Sequence, residues 1–249
     1  MGQVRGRPPL TASIEPFDSF WEAPENIEKG FARFGQFYRR NYLDRLPKNR
    51  ASKTLVISCG YGYFVQLLKD AGYSDVLGID SDPEKVRIAT EKGLNCTVES
   101  AFAFLENSPG SYDAIIAEQE INHLTKEEIL IFLSLCRKNL AEGGTLMVHS
   151  LNGANPITGS EALAQNFDHY NTFTEYSLRQ ILDYSGFVEV NVFPLNLYVF
   201  YGNPLNYVAL LADRINTLIF RINFILYGKH NRIFTKKIAA VGKKKEAAR

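Results

Sequence analysis

Two glycines and an acid carry the clearest chemical signal in this chain. In the segment TLVISCGYGYFVQLLKDAGYSDVLGID (54–80), Gly60 and Gly62 follow one apolar run, and Asp80 ends the next. Glycines let the backbone take positive φ and approach a ligand closely. An acid about 20 residues later can accept hydrogen bonds from ribose hydroxyls. The spacing predicts a site for an adenosine-containing cofactor, although a tight turn and a helix-flanking acid would account for the same residues.

Histidines in polar segments are the next candidates, because an imidazole can remove a proton near neutral pH. His123 follows the fourth predicted strand, and His169 lies in NFDHYN (166–171) after the fifth. Both should lie at the carboxyl edge of a doubly wound sheet, where such folds bind ligands. The alternatives are a helix-start role for His123 and a loop-pinning role for His169. His149 ends a predicted strand and is interpreted as structural.

Alternating strand and helix patterns must position these residues. Strands are predicted at 54–59, 75–80, 95–98, 112–118, 145–150, 187–193 and 238–241, and helices at 63–71, 83–92, 101–106, 125–140, 174–184 and 205–227. One or two further helices are predicted in 21–46, and residues 151–173 are predicted as a loop. Asp82-Pro83 and Thr125 with Glu128 are typical helix starts. The alternation predicts an α/β fold with a parallel sheet covered on both faces.

Four segments are expected: a flexible arm (1–20), an N-terminal helical cap (21–50), a cofactor-binding core (51–200), and a segment with an amphipathic helix, a last strand and a basic tail (201–249).

The formal net charge of +1 gives no case for a nucleic-acid partner. Three scattered cysteines predict free thiols in a reducing compartment. No signal core or apolar stretch of about 20 residues is present, so a cytoplasmic location is expected. No acid cluster with metal-ligand spacing appears, so no metal is expected.

The chain resembles the class I S-adenosylmethionine-dependent methyltransferases over about residues 30–195. The resemblance rests on SCGYG (58–62), GID (78–80), SYDAIIAEQEINHL (111–124) and NLAEGGTLMV (139–148). Within that family it is similar to a branch associated with bacterial surface-polysaccharide biosynthesis. That likeness rests on FWEAPENIEKG (20–30), SLNGANP (150–156) and DHYNTFTEYSLRQIL (168–182).

The resemblance implies a Rossmann-like, seven-stranded, mostly parallel sheet that binds S-adenosylmethionine. It puts the first loop beside the methionine part, Asp80 on the ribose hydroxyls, Ser100 and Ala101 at the adenine, and Glu118 and Gln119 beside the sulfonium. The predicted cofactor-binding set is Ser58, Cys59, Gly60, Gly62, Asp80, Ser81, Ser100, Ala101, Glu118 and Gln119.

Three positions depart from the family pattern. Val56 stands where the first strand usually has an acid, Ser58 where the loop has its first glycine, and Ser100 where an aspartate faces the adenine. Serine disfavours positive φ, so the turn is expected to be shaped differently. These departures leave open a cofactor-binding scaffold with degraded catalysis.

The expected reaction is methyl transfer to a hydroxyl, on a sugar of a surface glycan or its precursor. A hydroxyl acceptor needs a proton removed, so a base is expected beside the donor. The predicted catalytic residues are His169, favoured as general base, His123 and Glu118. The predicted acceptor-binding residues are Asn152, Asp168 and Tyr170, although ordinary turn chemistry explains Asn152 and Asn155 equally well. Another small-molecule or lipid acceptor stays open, whereas an NAD dehydrogenase is disfavoured because the loop lacks a full G-x-G-x-x-G.

The predicted helix 205–227 has a broad apolar face and is followed by basic residues. Charged residues interrupt it, so it is not expected to span a membrane. It is expected to pack on the core or on a second subunit, as in a homodimer. The alternative is peripheral contact with the inner face of an anionic membrane.

Overall fold

The computed structural model describes residues 24–117, 120–165, 167, 169–195 and 204–246, so the predicted arm 1–20 lies outside it. The strands are β1 (Thr54–Ile57), β2 (Val76–Asp80), β3 (Cys96–Val98), β4 (Tyr112–Ala117), β5 (Leu140–Leu151), β6 (Phe187–Leu195) and β7 (Lys237–Lys244). The helices are α1 (Pro24–Asn41), α2 (Tyr63–Asp70), α3 (Pro83–Glu91), α4 (Ala101–Asn107), α5 (Lys126–Asn139), α6 (Pro156–Gln165), α7 (Glu175–Tyr184) and α8 (Leu205–Leu226). Short 3₁₀ turns cover Leu43–Arg45 and Glu120–Asn122.

The seven strands form one mostly parallel sheet in the order β3-β2-β1-β4-β5-β7-β6. The strands from β3 to β5 pair in parallel, and β7 is antiparallel to both β5 and β6. This confirms the predicted Rossmann-like class I methyltransferase fold. The carboxyl ends of β1 to β6 therefore share one edge of the sheet, called the carboxyl edge below, and β7 begins there.

The strand order reverses between β1 and β4, since the chain leaves β1 for β2 on one side and later fills the other side with β4. Ligands of doubly wound sheets bind outside the carboxyl ends at this switch point. The loop that carries Gly60 leaves β1 at that point.

Two apolar layers cover the sheet, one on each face. Side chains alternate between the faces along each strand. Val56 and Ile116 therefore belong to the layer that includes α1 and α2, whereas Leu55 and Ile115 belong to the layer that includes α5 and α7. All four are essentially inaccessible to solvent. Burial on both faces explains why these strands read as continuous apolar runs.

Helix α6 lies inside the segment 151–173 that was predicted as a loop. Asn155 caps it, because its Oδ1 accepts hydrogen bonds from the amides of Ile157 and Thr158. Pro156 occupies the first helical position, where a missing N–H costs nothing. The same signal, an Asx cap before a proline, correctly predicted the start of α3 at Asp82-Pro83.

Strand β5 begins earlier than predicted. The helix was predicted over 125–140 and the strand over 145–150, but α5 ends at Asn139 and β5 runs from Leu140 through Gly143 and Gly144. The pairing of β4 with β5 shifts register between Tyr112 and Ala114. Gly143 has φ of +72° there, so a bulge explains the glycine pair.

Candidate functional site

The loop from Ser58 to Gly62 reverses the chain through three residues with positive φ. Ser58 and Gly60 both have φ of +54°, and Gly62 has φ of +82°. The expectation that serine would reshape this turn is wrong. Ser58 takes the backbone conformation that a glycine would supply, and the local strain is balanced by the surrounding structure.

Asp80 at the tip of β2 is hydrogen-bonded to this loop. Its Oδ2 accepts a hydrogen bond from the Gly60 amide at 2.8 Å, and its Oδ1 accepts one from the Asp82 amide at 2.9 Å. A carboxylate has about four lone-pair sites, so capacity remains for two hydroxyl donors. Asp80 is half-buried at the carboxyl edge, where a ribose diol could reach it.

The two loop glycines differ in their surroundings. A Cβ built on Gly60 would meet no heavy atom within 4 Å, whereas one on Gly62 would lie 2.6 Å from Leu94 Cδ1. Gly60 therefore leaves open space through which a ligand can approach the main chain. Gly62 is required both by its φ and by close packing against the chain after α3.

Cys59 was predicted to contact the cofactor, but its side chain points into the core. It is buried and lies with Cys96 against Gly78, because a Cβ on Gly78 would be 2.9 Å from both sulfurs. The hydrogen bond with Cys96 and burial raise the pKa of the Cys59 thiol. Cys59 is therefore a protonated core residue, and only its main chain belongs to the loop.

The predicted adenine-side residues follow the ends of β2 and β3. The Glu99 amide donates a hydrogen bond to the Asp80 carbonyl at 2.9 Å, which holds the two strand ends together. Ser81 and Ser100 are exposed just beyond those ends, and Ala101 is half-buried at the start of α4. The structure thus places these three residues just beyond the carboxyl ends of β2 and β3. Glu118 and Gln119 lie outside the described residues.

Aromatic side chains brace the loop from Ser58 to Gly62, a feature that was not predicted from the sequence. The rings of Phe34 in α1 and Tyr63 at the start of α2 stack with centroids 5.0 Å apart. Phe31 meets the same tyrosine edge to face at 4.6 Å. Tyr63, directly after Gly62, was the available signal, and its contacts with α1 now explain it.

His123 and His169 lie together. Their rings meet edge to face with centroids 4.6 Å apart. His169 Nδ1 is 3.0 Å from the carbonyl oxygen of Ala162, which can only accept a hydrogen bond, so Nδ1 carries the proton. In the neutral ring the lone pair is then on Nε2. This is the tautomer that a general base acting through Nε2 requires.

Two asparagines hold the histidine segments together. The carbonyl of Asn122 accepts hydrogen bonds from the amides of Tyr170 and Asn171, and Asn122 Nδ2 donates to the carbonyl of Asn171 at 2.8 Å. Asn171 Nδ2 donates in turn to the carbonyl of Leu124. Neither residue was predicted from the sequence, because the contact joins segments that are far apart in the chain.

Asn152 was predicted to bind the acceptor, but the structure uses its whole side chain internally. It is completely buried; its Nδ2 donates to the carbonyls of Ile233 and Thr235, and its Oδ1 accepts from the Ala154 amide. Asn152 therefore has a structural role, which was the alternative to acceptor binding. Asn155 has a structural role too, because its Nδ2 donates a hydrogen bond to the carbonyl of Phe234. Tyr170 is exposed beside His169, and Asp168 lies outside the described residues.

His149 is structural, as interpreted. It is buried in β5, and its Nδ1 lies 2.9 Å from the hydroxyl of Tyr42. Burial, with the nearby charge of Lys237, holds the pKa of His149 well below its ordinary value. The ring is therefore neutral at physiological pH.

The described residues offer neither a metal-binding cluster nor a membrane-spanning helix. Within the ranges given above, no three His, Cys, Asp or Glu side chains are grouped so that they could hold a metal ion. No helix in those ranges is long and apolar enough to cross a bilayer.

Comparisons with known proteins bear on the family and the fold of this chain. Residues 30–192 match a family model described as a methyltransferase domain. A SAM-dependent methyltransferase from Archaeoglobus fulgidus is 22% identical, with a TM-score of 0.64 over 86% of this chain and 94% of that one. A possible histamine N-methyltransferase from Thermotoga maritima is 15% identical, with a TM-score of 0.59 over 93% of this chain and 100% of that one.

A third structure is Haemonchus contortus phosphoethanolamine N-methyltransferase 2 in complex with S-adenosyl-L-methionine. It is 15% identical, with a TM-score of 0.58 over 94% of this chain and 61% of that one. At these identities the structures establish the shared fold. No curated protein matches the chain.

Proposed function

Because the chain belongs to the methyltransferase-domain family, we propose that it transfers a methyl group from S-adenosylmethionine to a hydroxyl of a sugar, in a bacterial surface glycan or its precursor. The observation that carries the proposal is the pair His123 and His169, since His169 has the tautomer of a general base. A hydroxyl must lose its proton to become a good nucleophile.

The residues at the switch point fit the cofactor. The open side of Gly60 admits the ligand to the main chain, and the half-buried Asp80 offers its remaining lone pairs to the ribose hydroxyls. Ser81, Ser100 and Ala101 border the adenine side. When bound, S-adenosylmethionine supplies an electrophilic methyl group next to a positively charged sulfur.

His169 takes the acceptor proton on Nε2. The hydrogen bond from Nδ1 to the Ala162 carbonyl fixes the ring and becomes stronger when the ring is charged, since hydrogen bonds from ionised donors are stronger. His123 packs its ring against His169 and restricts the ring's rotation. Holding base, acceptor and donor in contact supplies much of the rate enhancement.

The acceptor class rests on two observations. Residues 20–30, 150–156 and 168–182 resemble proteins of surface-polysaccharide synthesis, and the last segment contains His169. Tyr170 places an exposed ring and a hydroxyl beside that histidine. A hydroxyl that both donates and accepts suits a polar acceptor such as a sugar.

The degraded-scaffold alternative rests on Val56, Ser58 and Ser100. Ser58 weighs against it, because this residue keeps the φ of a glycine and the loop keeps its hydrogen bond to Asp80. Val56 weighs for it, because a fully buried apolar side chain cannot help to orient a cofactor amino group.

The test combines calorimetry with turnover. The protein is titrated with S-adenosylmethionine and S-adenosylhomocysteine, and transfer of labelled methyl is then measured over a panel of monosaccharides and nucleotide sugars. His169→Gln should lower kcat by roughly 10²- to 10⁴-fold while the cofactor Kd stays within about twofold. His230→Gln is the matched control, because that exposed side chain is remote in sequence from the site.

Each negative outcome identifies a different error. Full kcat in His169→Gln would remove this residue as the base. Absence of binding to either ligand would favour the scaffold with degraded catalysis. Cofactor binding with turnover only on other small molecules or lipids would overturn the sugar assignment and leave the methyltransferase assignment intact.

A further inference from the structure

Helix α8 exposes one continuous apolar face. This outer face consists of Tyr207, Val208, Leu211, Ile215, Leu218, Ile219, Ile222, Ile225 and Leu226, each between 47% and 77% exposed. At 100° per residue these positions fall on one arc of the helix, and no charged residue lies within it. Twenty-two residues make the helix about 33 Å long.

The opposite side of α8 attaches it to the protein. Among the described side chains of the helix, the half-buried positions are Leu210, Asp213, Thr217, Phe220 and Phe224, and their spacing places them on one stripe. The two phenylalanines contact Phe234, which is only 1% exposed, with centroids 6.3 and 4.7 Å apart. The outer face therefore points away from the body of the protein.

The segment that contains Phe234 is fixed to the carboxyl edge of the sheet. Asn152 and Asn155 hold the carbonyls of residues 233–235, and the Glu175 carboxylate accepts hydrogen bonds from the amides of Arg232 and Ile233. Since β6 ends and β7 begins at the carboxyl edge, α8 is inserted at the same edge as Gly60 and Asp80.

The outer face is too large for an ordinary solvent surface. Its nine side chains expose apolar surface on the order of 1,000 Å², whereas the largest patch on a typical monomer covers roughly 300–600 Å². An area of this size marks a surface that is covered by a partner or by lipid.

Charge decides between these two occupants. Residues 204–237 contain one acid, Asp213, and the basic residues Arg214, Arg221, Lys229, Arg232, Lys236 and Lys237. Their formal charge is +5 in a chain whose total is +1, so the rest of the chain carries −4. A two-fold dimer through α8 would bring two such segments together and set like charges against each other. An anionic surface attracts the same segment.

The flanks of the outer face suit a lipid interface. Arg214 and Arg221 are seven residues apart and border one side of the face, where their long stems can reach out to headgroups. Tyr207 and Tyr227 lie near the two ends of the helix, and tyrosine is enriched at membrane–water interfaces.

We propose that α8 docks the protein on a bilayer with anionic headgroups, lying in the plane of the interface with its outer face among the acyl chains. The helix does not cross the bilayer. Because α8 lies at the carboxyl edge, the proposed cofactor site faces the same membrane. An acceptor held at the lipid surface would then reach the site without the protein leaving the membrane.

The test is flotation of the full chain with vesicles, without cofactor or acceptor. Phosphatidylcholine vesicles are compared with vesicles that also contain phosphatidylglycerol. We expect binding to the anionic vesicles roughly tenfold or more above binding to the neutral ones at low salt, falling as salt rises.

Three matched double variants, each introducing two glutamines on α8, separate the contributions. Leu218→Gln with Ile222→Gln removes apolar contact and should weaken binding to anionic vesicles roughly tenfold or more. Arg214→Gln with Arg221→Gln should weaken the same binding by a similar factor while leaving binding to neutral vesicles unchanged. Asn216→Gln with Asn223→Gln, on the other border of the face, should leave both unchanged. Circular dichroism verifies that each variant is folded.

Three results would overturn the proposal. The first is absence of vesicle binding by the unmodified chain, and the second is equal loss of binding in all three variants. The third is a stable dimer in sedimentation equilibrium that Leu218→Gln with Ile222→Gln dissociates, without vesicle binding, which would assign the outer face to a second copy of the chain.

Discussion

The main-chain amide of Gly60 donates a hydrogen bond to Oδ2 of Asp80, joining the loop after β1 to the tip of β2 over 2.8 Å. One carboxylate therefore has two tasks. It holds the loop in its glycine-like conformation, and in the proposed cofactor site it also presents lone pairs to a ribose. Loop shape and cofactor affinity should change together when this side chain is altered.

Asp80→Ala should abolish measurable cofactor binding and also destabilise the protein. The substitution removes the acceptor for the amides of Gly60 and Asp82, which costs about 1–3 kcal/mol of unfolding free energy. Calorimetry with S-adenosylhomocysteine and urea unfolding measure the two effects. Asp82→Ala is the control, because it loses the α3 cap at a cost of about 1 kcal/mol but leaves Asp80 in place. Equal cofactor affinity in Asp80→Ala and the unmodified chain would disprove the assigned site.

Ser58→Gly should stabilise the protein slightly or leave it unchanged. A non-glycine residue at φ of +54° costs about 1–2 kcal/mol, and glycine relieves this while adding entropy to the unfolded chain. The net gain in unfolding free energy should not exceed about 1 kcal/mol. Ser58→Val should lower the unfolding free energy, because β-branching disfavours positive φ. Urea denaturation measures the unfolding free energy of the three proteins, which should decrease in the order glycine, serine, valine at position 58. A valine variant more stable than the unmodified chain would contradict the strain argument.

Asn152→Ala should reduce stability and leave substrate kinetics almost intact. The side chain makes three hydrogen bonds in a fully buried setting, so its loss should cost about 2–4 kcal/mol of unfolding free energy. Asn95→Ala is a milder comparison, because Asn95 is exposed and donates one side-chain hydrogen bond to the Val76 carbonyl. A raised acceptor KM with unchanged stability would restore Asn152 as an acceptor-binding residue.

His149 should make the protein less stable as the pH falls below about 6.5. Burial lowers the pKa of His149 in the folded state, so below the ordinary value of 6.5 the unfolded chain binds a proton that the native ring does not. Unfolding free energy then drops by about 1.4 kcal/mol per pH unit until the pH reaches the folded-state pKa. Above 6.5 the ring is neutral in both states and contributes no slope.

Urea unfolding of His149→Gln between pH 5 and pH 8 tests this linkage. The variant should lose overall stability but show a smaller slope below pH 6.5 than the unmodified chain. Tyr42→Phe removes the hydroxyl that contacts Nδ1 and keeps the titrating ring, so its slope should persist. Identical slopes in the unmodified chain and His149→Gln would show that another group causes the pH dependence.

Local signals in the sequence determined most of the fold. Apolar runs that end in turns predicted the seven strands. The caps at Asp82 and Thr125 predicted helix starts that the structure confirms, because a cap depends only on residues within one turn. Gly60, Gly62 and Asp80 were assigned to one site from their spacing, because successive parallel strands bring their carboxyl ends to one edge. Asn155-Pro156 gave the same local signal for the start of α6. Residues 151–173 were nevertheless predicted as a loop because of their polar composition.

The tertiary structure decided what each side chain of the site contacts. Cys59 and Asn152 were assigned to ligands by their position in the chain, yet one packs under β2 and the other holds residues 233–235, more than 80 residues away. His123 and His169 could each be proposed singly, but their pairing depends on Asn122 and Asn171 joining two distant loops. For Ser58 the tertiary structure decided the backbone conformation. Contacts that surround the turn override the intrinsic preference of serine against positive φ. Periodicity and caps act over a few residues, whereas the partners of a buried polar group are set by packing between segments that meet only in the folded chain.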